Sequence, residues 1–133
     1  MAATFAIEGS VHEGAVEISV SYPDFAILDE GFDEPFRQQL VQKYEESARK
    51  QPDQDCILTI SASVAGSQVV RGIYELYKVV RARSGNLICA KYPADYVRAL
   101  TDLGLPSLPG FELCGSIEEA REKRSKLRGG KKA

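Results

Sequence analysis

Hydrophobic and polar positions change their period twice along this chain. Thr4–Ile7 is a short candidate strand ended by Gly9-Ser10, and Val16-Glu17-Ile18-Ser19-Val20-Ser21-Tyr22 alternates apolar with polar residues, the period of a strand with one wet face. Pro23-Asp24 breaks that run, and Phe25-Ala26-Ile27-Leu28 is a further short candidate strand. From Asp33 the period becomes helical. Asp33 can cap the helix, its first turn tolerates Pro35, and Phe36, Leu40, Tyr44 and Ala48 share one face. Gln51-Pro52-Asp53-Gln54-Asp55 closes it as a polar loop, and the mostly apolar Cys56–Ser61 then reads as a strand covered on both faces.

Ser63-Val64-Ala65-Gly66-Ser67 is a tight connection into a helix from about Gln68 to Arg83, with Val69, Ile73, Leu76 and Val80 as its inward stripe and Glu75 on its wet side. Ser84-Gly85 ends that helix, Gly85 being suited to a left-handed cap. Asn86–Ala90 is the next buried strand. Pro93 opens a third helix through Leu103 that turns Val97, Leu100 and Leu103 inward, and Gly104 stops it. Phe111–Cys114 is a short last strand, and Ser116-Ile117-Glu118-Glu119 is a capping box that launches a final helix.

Strands alternating with helices after residue 33 demand an α/β layer fold with parallel strands and right-handed crossovers. We expect a mixed sheet of four to five strands, antiparallel at its N-terminal edge, with helices packed mainly on one face. Partners of such sheets meet the loops at the carboxyl ends of the strands. Here these are Leu28–Asp33, Ser61–Ser67, Ala90–Pro93 and Cys114–Ser116.

The length of 133 residues suits one domain, assigned to 1–127 with a basic tail at 128–133. A net charge of -2 offers no broad positive field for nucleic acid, and the basic surplus after Glu122 reads as a solvated terminus. Cys56, Cys89 and Cys114 are odd in number and lie in apolar runs, which suits buried free thiols in a reducing, cytoplasmic setting. His12 reads as part of a turn. The N-terminus lacks the pattern of a signal peptide, and no apolar run reaches the roughly 18 residues of a membrane span.

No phosphate-binding lysine loop, dinucleotide fingerprint, zinc-protease motif or nucleophile elbow is present, so neither an enzyme nor a cofactor or metal site is expected. Asp24, Asp29, Glu30 and Asp33 form an acidic cluster that could hold Mg²⁺ as in receiver domains. Hydroxyls, however, end the strand where a receiver has its acceptor Asp, so solvated loop acids are the better reading. The Ser63–Ser67 turn carries more information. Ser67 stands where free amides and the positive end of a helix dipole converge, and it reads either as an N-cap or as an exposed hydroxyl that accepts phosphate.

From Cys56 to Ala120 the chain resembles the STAS domain, the fold of bacterial anti-sigma-factor antagonists and of stressosome and sulfate-transporter appendages. The resemblance rests on the order of an apolar strand, a Ser- and Gly-containing turn and a long helix, then Ser84-Gly85-Asn86-Leu87-Ile88-Cys89, Leu103-Gly104-Leu105 and Ser116-Ile117-Glu118-Glu119-Ala120. Many members carry Asp-Ser-Ser-Gly at the turn, with the second hydroxyl phosphorylated by a partner kinase. The match puts Ala65 at the Asp, Gly66 at the first Ser, Ser67 at the phosphoacceptor and Gln68 at the Gly. Of the family's Gly-Glu-Leu-Asp before the first helix, Glu30-Gly31-Phe32-Asp33 keeps only the Asp.

The resemblance implies a protein-binding module that sequesters an anti-sigma factor of the serine-kinase type, or pairs with another STAS protein. It places the partner-binding loop at Asp33, Ser63, Ala65, Gly66, Ser67, Gln68 and Arg71 and the phosphoacceptor at Ser67. A monomer or weak homodimer is expected. The other readings are a non-phosphorylated STAS scaffold and a module that senses a small ligand or nucleotide. An enzyme of flavodoxin-like fold lacks a visible acid, base and nucleophile.

Overall fold

The structure, a computed structural model, describes residues 5–12, 15–23, 26, 31–49, 55–102, 104 and 107–127, the side chain of Ser67 excepted. Among these residues, five strands and four helices follow in the order β1 (Ala6–His12), β2 (Ala15–Ser21), α1 (Asp33–Ala48), β3 (Cys56–Ser61), α2 (Gly66–Ala82), β4 (Leu87–Lys91), α3 (Tyr96–Asp102), β5 (Phe111–Leu113) and α4 (Ile117–Leu127). The strands form one sheet in sequence order. Among the described residues the β1–β2 pair is antiparallel, and β2 through β5 run parallel. This is the expected mixed α/β sheet.

Alternation of side chains across the sheet builds two apolar layers. Cys56, Leu58 and Ile60 of β3 and Leu87 and Cys89 of β4 join the large cluster under α1, α2 and α3. Ile57, Ile88 and Ala90 point the other way and pack with Cys114 and Ala120 under α4. Strands covered on both faces must be apolar throughout, which is why β3 and β4 show no wet period. The four stripe positions of α2, Val69, Ile73, Leu76 and Val80, are all buried. Gly72 lets α1 approach α2: a Cβ there would lie 2.8 Å from the Phe36 ring.

Several local expectations need correction. β1 does not end at Gly9-Ser10 but continues to His12, which pairs with Ala15 instead of belonging to the turn. A Cβ on Gly9 would sit 3.0 Å from Lys43 Cγ, so the glycine gives α1 room over the strand. Asp33 is not the cap of α1. Phe32 occupies that position without a side-chain hydrogen bond, fixed by its own burial and by stacking on Phe36 at 4.9 Å. Ser84, with φ of 64°, takes the left-handed position expected of Gly85, whose amide donates to the Val80 carbonyl.

In α3 the inward face is Tyr96 and Leu100, while Val97 is 39% exposed. The helix begins at Tyr96 and not Pro93, and a 3.1 Å hydrogen bond between Tyr96 Oη and Cys89 Sγ fixes its rotation. The basic surplus after Glu122 is helical as far as Leu127, with Arg124 buried. Within the candidate strand 25–28 only Ala26 is described, and its amide donates to the Pro23 carbonyl at 2.9 Å. Asp24, Asp29, Glu30, the loop 51–54, Leu103, Leu105 and the tail 128–133 lie outside the described residues.

At α4 the Ser116 cap forms as expected, while Glu119 reaches the amide of Gly115 instead of that of Ser116. Ser116 Oγ accepts from the Glu119 amide at 3.1 Å, and Glu119 Oε1 accepts from the Gly115 amide at 2.8 Å. At the base of the sheet Asp55 is fully buried. Its Oδ1 accepts from the Asn86 amide at 2.8 Å and from Asn86 Nδ2 at 3.1 Å, while Arg124 Nε lies 3.3 Å from Oδ2.

This packing can be tested by substitution and by thiol chemistry. Leu76→Ala should cost about 2–5 kcal/mol in chemical denaturation through lost burial and a residual cavity, whereas Glu75→Ala should stay within about 0.5 kcal/mol of wild type. Burial raises the Cys56 thiol well above its usual range and pushes Cys89 up to about 12, against the opposing hydrogen bond from Tyr96. Both thiols should therefore resist alkylation in the native protein at about pH 8 and react after unfolding. Because the folded value is the raised one, the stability from burying Cys89 as a neutral thiol is complete below 9 and is lost as pH rises toward about 12.

Candidate functional site

The carboxyl ends of β2, β3 and β4 carry the segments that position the candidate site. Residues 62–65 leave β3 and turn directly into α2. Two long-range interactions hold this turn. Tyr22 Oη, just past β2, donates to the Val64 carbonyl at 2.7 Å. Asp95, just before α3, receives the Ala65 amide on Oδ1 at 2.9 Å and the Gly66 amide on Oδ2 at 3.3 Å. Two successive amides converge on one carboxylate because Gly66 has φ of 71°, a left-handed value that a side chain would strain.

This geometry corrects the reading of Ser67 as the helix cap. Ala65 occupies the cap position of α2 and no side chain of its own segment caps it. Ser67 is the second residue of the helix, and its side chain lies outside the described part of the structure. Two of the amides at this helix end, those of Ala65 and Gly66, are served across the fold by Asp95.

The remaining candidate residues separate by exposure. Arg71 is exposed, Ser63, Gly66 and Gln68 are exposed or half-buried, Asp33 is half-buried, and Ala65 is buried, so it presents no side chain to a partner. The structure brings Asp33 and Arg71 together from α1 and α2. They line one groove of about 330 Å³ with Arg37, Tyr74 and Glu75. Arg37 Nε lies 3.4 Å from Asp33 Oδ1, an ion-pair distance without hydrogen-bond geometry. Tyr74 is 40% exposed, stacks on Tyr77 and has Lys78 Nζ 5.1 Å above its ring; Lys78 also pairs with Glu75 at 3.1 Å. Arg71 makes no hydrogen bond or ion pair among the described residues.

Asp95, Tyr22, Arg37 and Tyr74 were not apparent as site residues from the chain. The spacing of Arg71, Tyr74 and Glu75, three and four residues apart, does place them on one helical face, and Asp33 and Arg37 share another. Asp95 serves a helix other than the one it precedes, which is a product of topology. Among the described residues no group of three or more His, Cys, Asp or Glu side chains gathers as a metal site. No helix among them is long and apolar enough to cross a membrane.

No known family's sequence model matches the chain, and no curated protein matches it in sequence. Its fold, however, is similar to that of a solved anti-sigma factor antagonist from Mycobacterium paratuberculosis, with a TM-score of 0.66 over 91% of this chain and 94% of that one. The two are 15% identical, so the likeness is one of fold.

Gly66→Ala tests the geometry of the turn. A left-handed residue with a Cβ costs about 1–2 kcal/mol, and thermal unfolding should show a loss of that size. An unchanged melting temperature would mean that the turn relaxes to an ordinary conformation and that the paired amides are not required.

Proposed function

We propose that this protein is a cytoplasmic, non-enzymatic binding module that acts as an anti-sigma-factor antagonist, capturing an anti-sigma factor of the serine-kinase type so that a sigma factor is released. The observation that carries this reading is the fold shared with an anti-sigma factor antagonist over nine-tenths of the chain. The docking surface is the β3–α2 turn with the start of α2, formed by Ser63, Gly66, Ser67, Gln68 and Arg71, with Asp33 beside it. Ala65 sits beneath as support.

Physical features of this end suit protein binding. A turn already held by Tyr22 and Asp95 loses little conformational freedom when a partner docks. Arg71 and Tyr74 are of the residue types that carry most interface energy, and the guanidinium of Arg71 has no competing internal partner among the described residues. Phosphorylation of Ser67 would place about two negative charges within this surface, which weakens a complex through lost hydration and repulsion from any facing carboxylate.

Titration calorimetry against a purified anti-sigma switch kinase tests the proposal. Wild type and Ser67→Ala should bind alike, whereas Ser67→Asp should bind at least tenfold more weakly, about 1.4 kcal/mol. Arg71→Ala should also lose affinity while melting like wild type. Binding unaffected by both Ser67→Asp and Arg71→Ala would remove this surface from the interface.

A further inference from the structure

We propose that β1 is a self-pairing edge, where two copies of this chain join into one continuous antiparallel sheet centred on Gly9. The inference is independent of the docking surface, which lies two strands away at the carboxyl end of β3.

The two edges of the sheet differ. β5 closes one edge with three residues, too short to template another strand. β1 forms the other with seven, paired to β2 in unbroken register without a bulge. It contains neither proline nor lysine, the residues that commonly blunt an edge. Ala6, Glu8, Gly9, Ser10 and Val11 are exposed, Val11 at 44%. A long, regular, exposed edge is a template for another chain.

The pattern of β1 points to an identical chain. In a two-fold antiparallel ladder with Gly9 opposite Gly9, all seven residues pair. Ile7 then opposes Val11 of the second copy, and Val11 opposes its Ile7. Both lie on the face under α1, because their β2 partners, Val20 and Val16, are buried in the cluster there. The exposed Val11 is thereby covered by an apolar side chain in each copy. Centring the ladder one residue either way sets Gly9 against Val11 or Ile7 and removes both apolar pairs.

The helix above the strand fits the same symmetry. A Cβ on Gly9 would lie 3.0 Å from Lys43 Cγ and 3.1 Å from Ser47 Oγ, so a two-fold axis beside Gly9 passes close to this stretch of α1. The two α1 helices then run antiparallel on one face of the joined sheet. Inversion turns Lys43 of each copy toward the Glu46–Ser47 end of the other. Lys43 and Glu46 border one groove on α1, so opposite charges meet across the axis twice. A peptide from another protein could share the ladder but not this symmetry.

Sedimentation equilibrium of the full chain across a dilution series tests the proposal. Wild type should dimerise, and Val11→Lys, which puts a charge on an exposed edge position, should weaken the dimer at least tenfold while dilute samples melt like wild type. Wild type that stays monomeric, or a dimer equally strong in Val11→Lys, would overturn the proposal. Cross-linking reads the register and leaves Val11 intact. Residues directly opposed across the ladder have Cα atoms about 4.5–5.5 Å apart, within disulfide reach, and the native cysteines are buried. Under mild oxidation Glu8→Cys mixed with Ser10→Cys should give a covalent dimer, and neither variant alone should do so as readily. Absence of that mixed dimer, or Ser10→Cys linking equally well to itself, would overturn the pairing at Gly9. Neither experiment involves a kinase, so absent kinase binding would count against the docking surface and leave this result standing.

Discussion

A parallel sheet strands main-chain amides where strands and helices hand over to one another, and two carboxylates meet that need here. Asp95 takes the amides of Ala65 and Gly66 at the carboxyl end of β3, and Asp55 takes the amide of Asn86 as the chain enters β4. An amide buried without a partner costs about 1–3 kcal/mol, so neither junction closes against the core without its acceptor. Each carboxylate also ties down a further element. Asp55 holds Arg124 of α4 on one face of the sheet, and Asp95 is continuous with α3 on the other. Removing one member of a buried pair such as Asp55–Arg124 typically costs about 3–5 kcal/mol, which makes α4 part of the fold's foundation although it comes last in the chain.

The same arrangement separates the two ends of the sheet in character. At the base, the buried Asp55 and Arg124 form a network with the half-buried Asn86, and Arg121 adds a two-pronged contact to Glu17 of β2 at 2.8 and 2.9 Å. At the opposite end the main chain is held from beneath while side chains of α1 and α2 stay exposed. A held backbone beneath exposed side chains is what a recognition surface needs, because the backbone's ordering entropy is met during folding and not during binding.

Most of the fold was legible because its period is. The stripe at Val69, Ile73, Leu76 and Val80, the apolar β3 and β4, and the cap at Ser116 all follow from local pattern, and each stands in the structure. What escaped the sequence was settled at a distance. Gly9 looks like a strand end until α1 is laid over it, and Val97 looks inward until Tyr96 finds Cys89. Ser67 looks like a cap because serine is a good one, but Asp95 reaches that helix end first. Asp55 reads as a loop acid, since nothing local reveals that an arginine 69 residues later will neutralise it. At the candidate site the turn and Arg71 were visible in the chain. The clamps that shape the turn were not, because they arise from strands and helices brought side by side.

The account turns on which surface a partner meets, and nuclear magnetic resonance of the labelled protein titrated with a purified anti-sigma switch kinase measures that directly. The account predicts that amide shifts concentrate at residues 63–75, with smaller changes at 33–37 and at Asp95. Shifts confined to the β1 edge or to α4, with residues 63–75 unmoved, would contradict it.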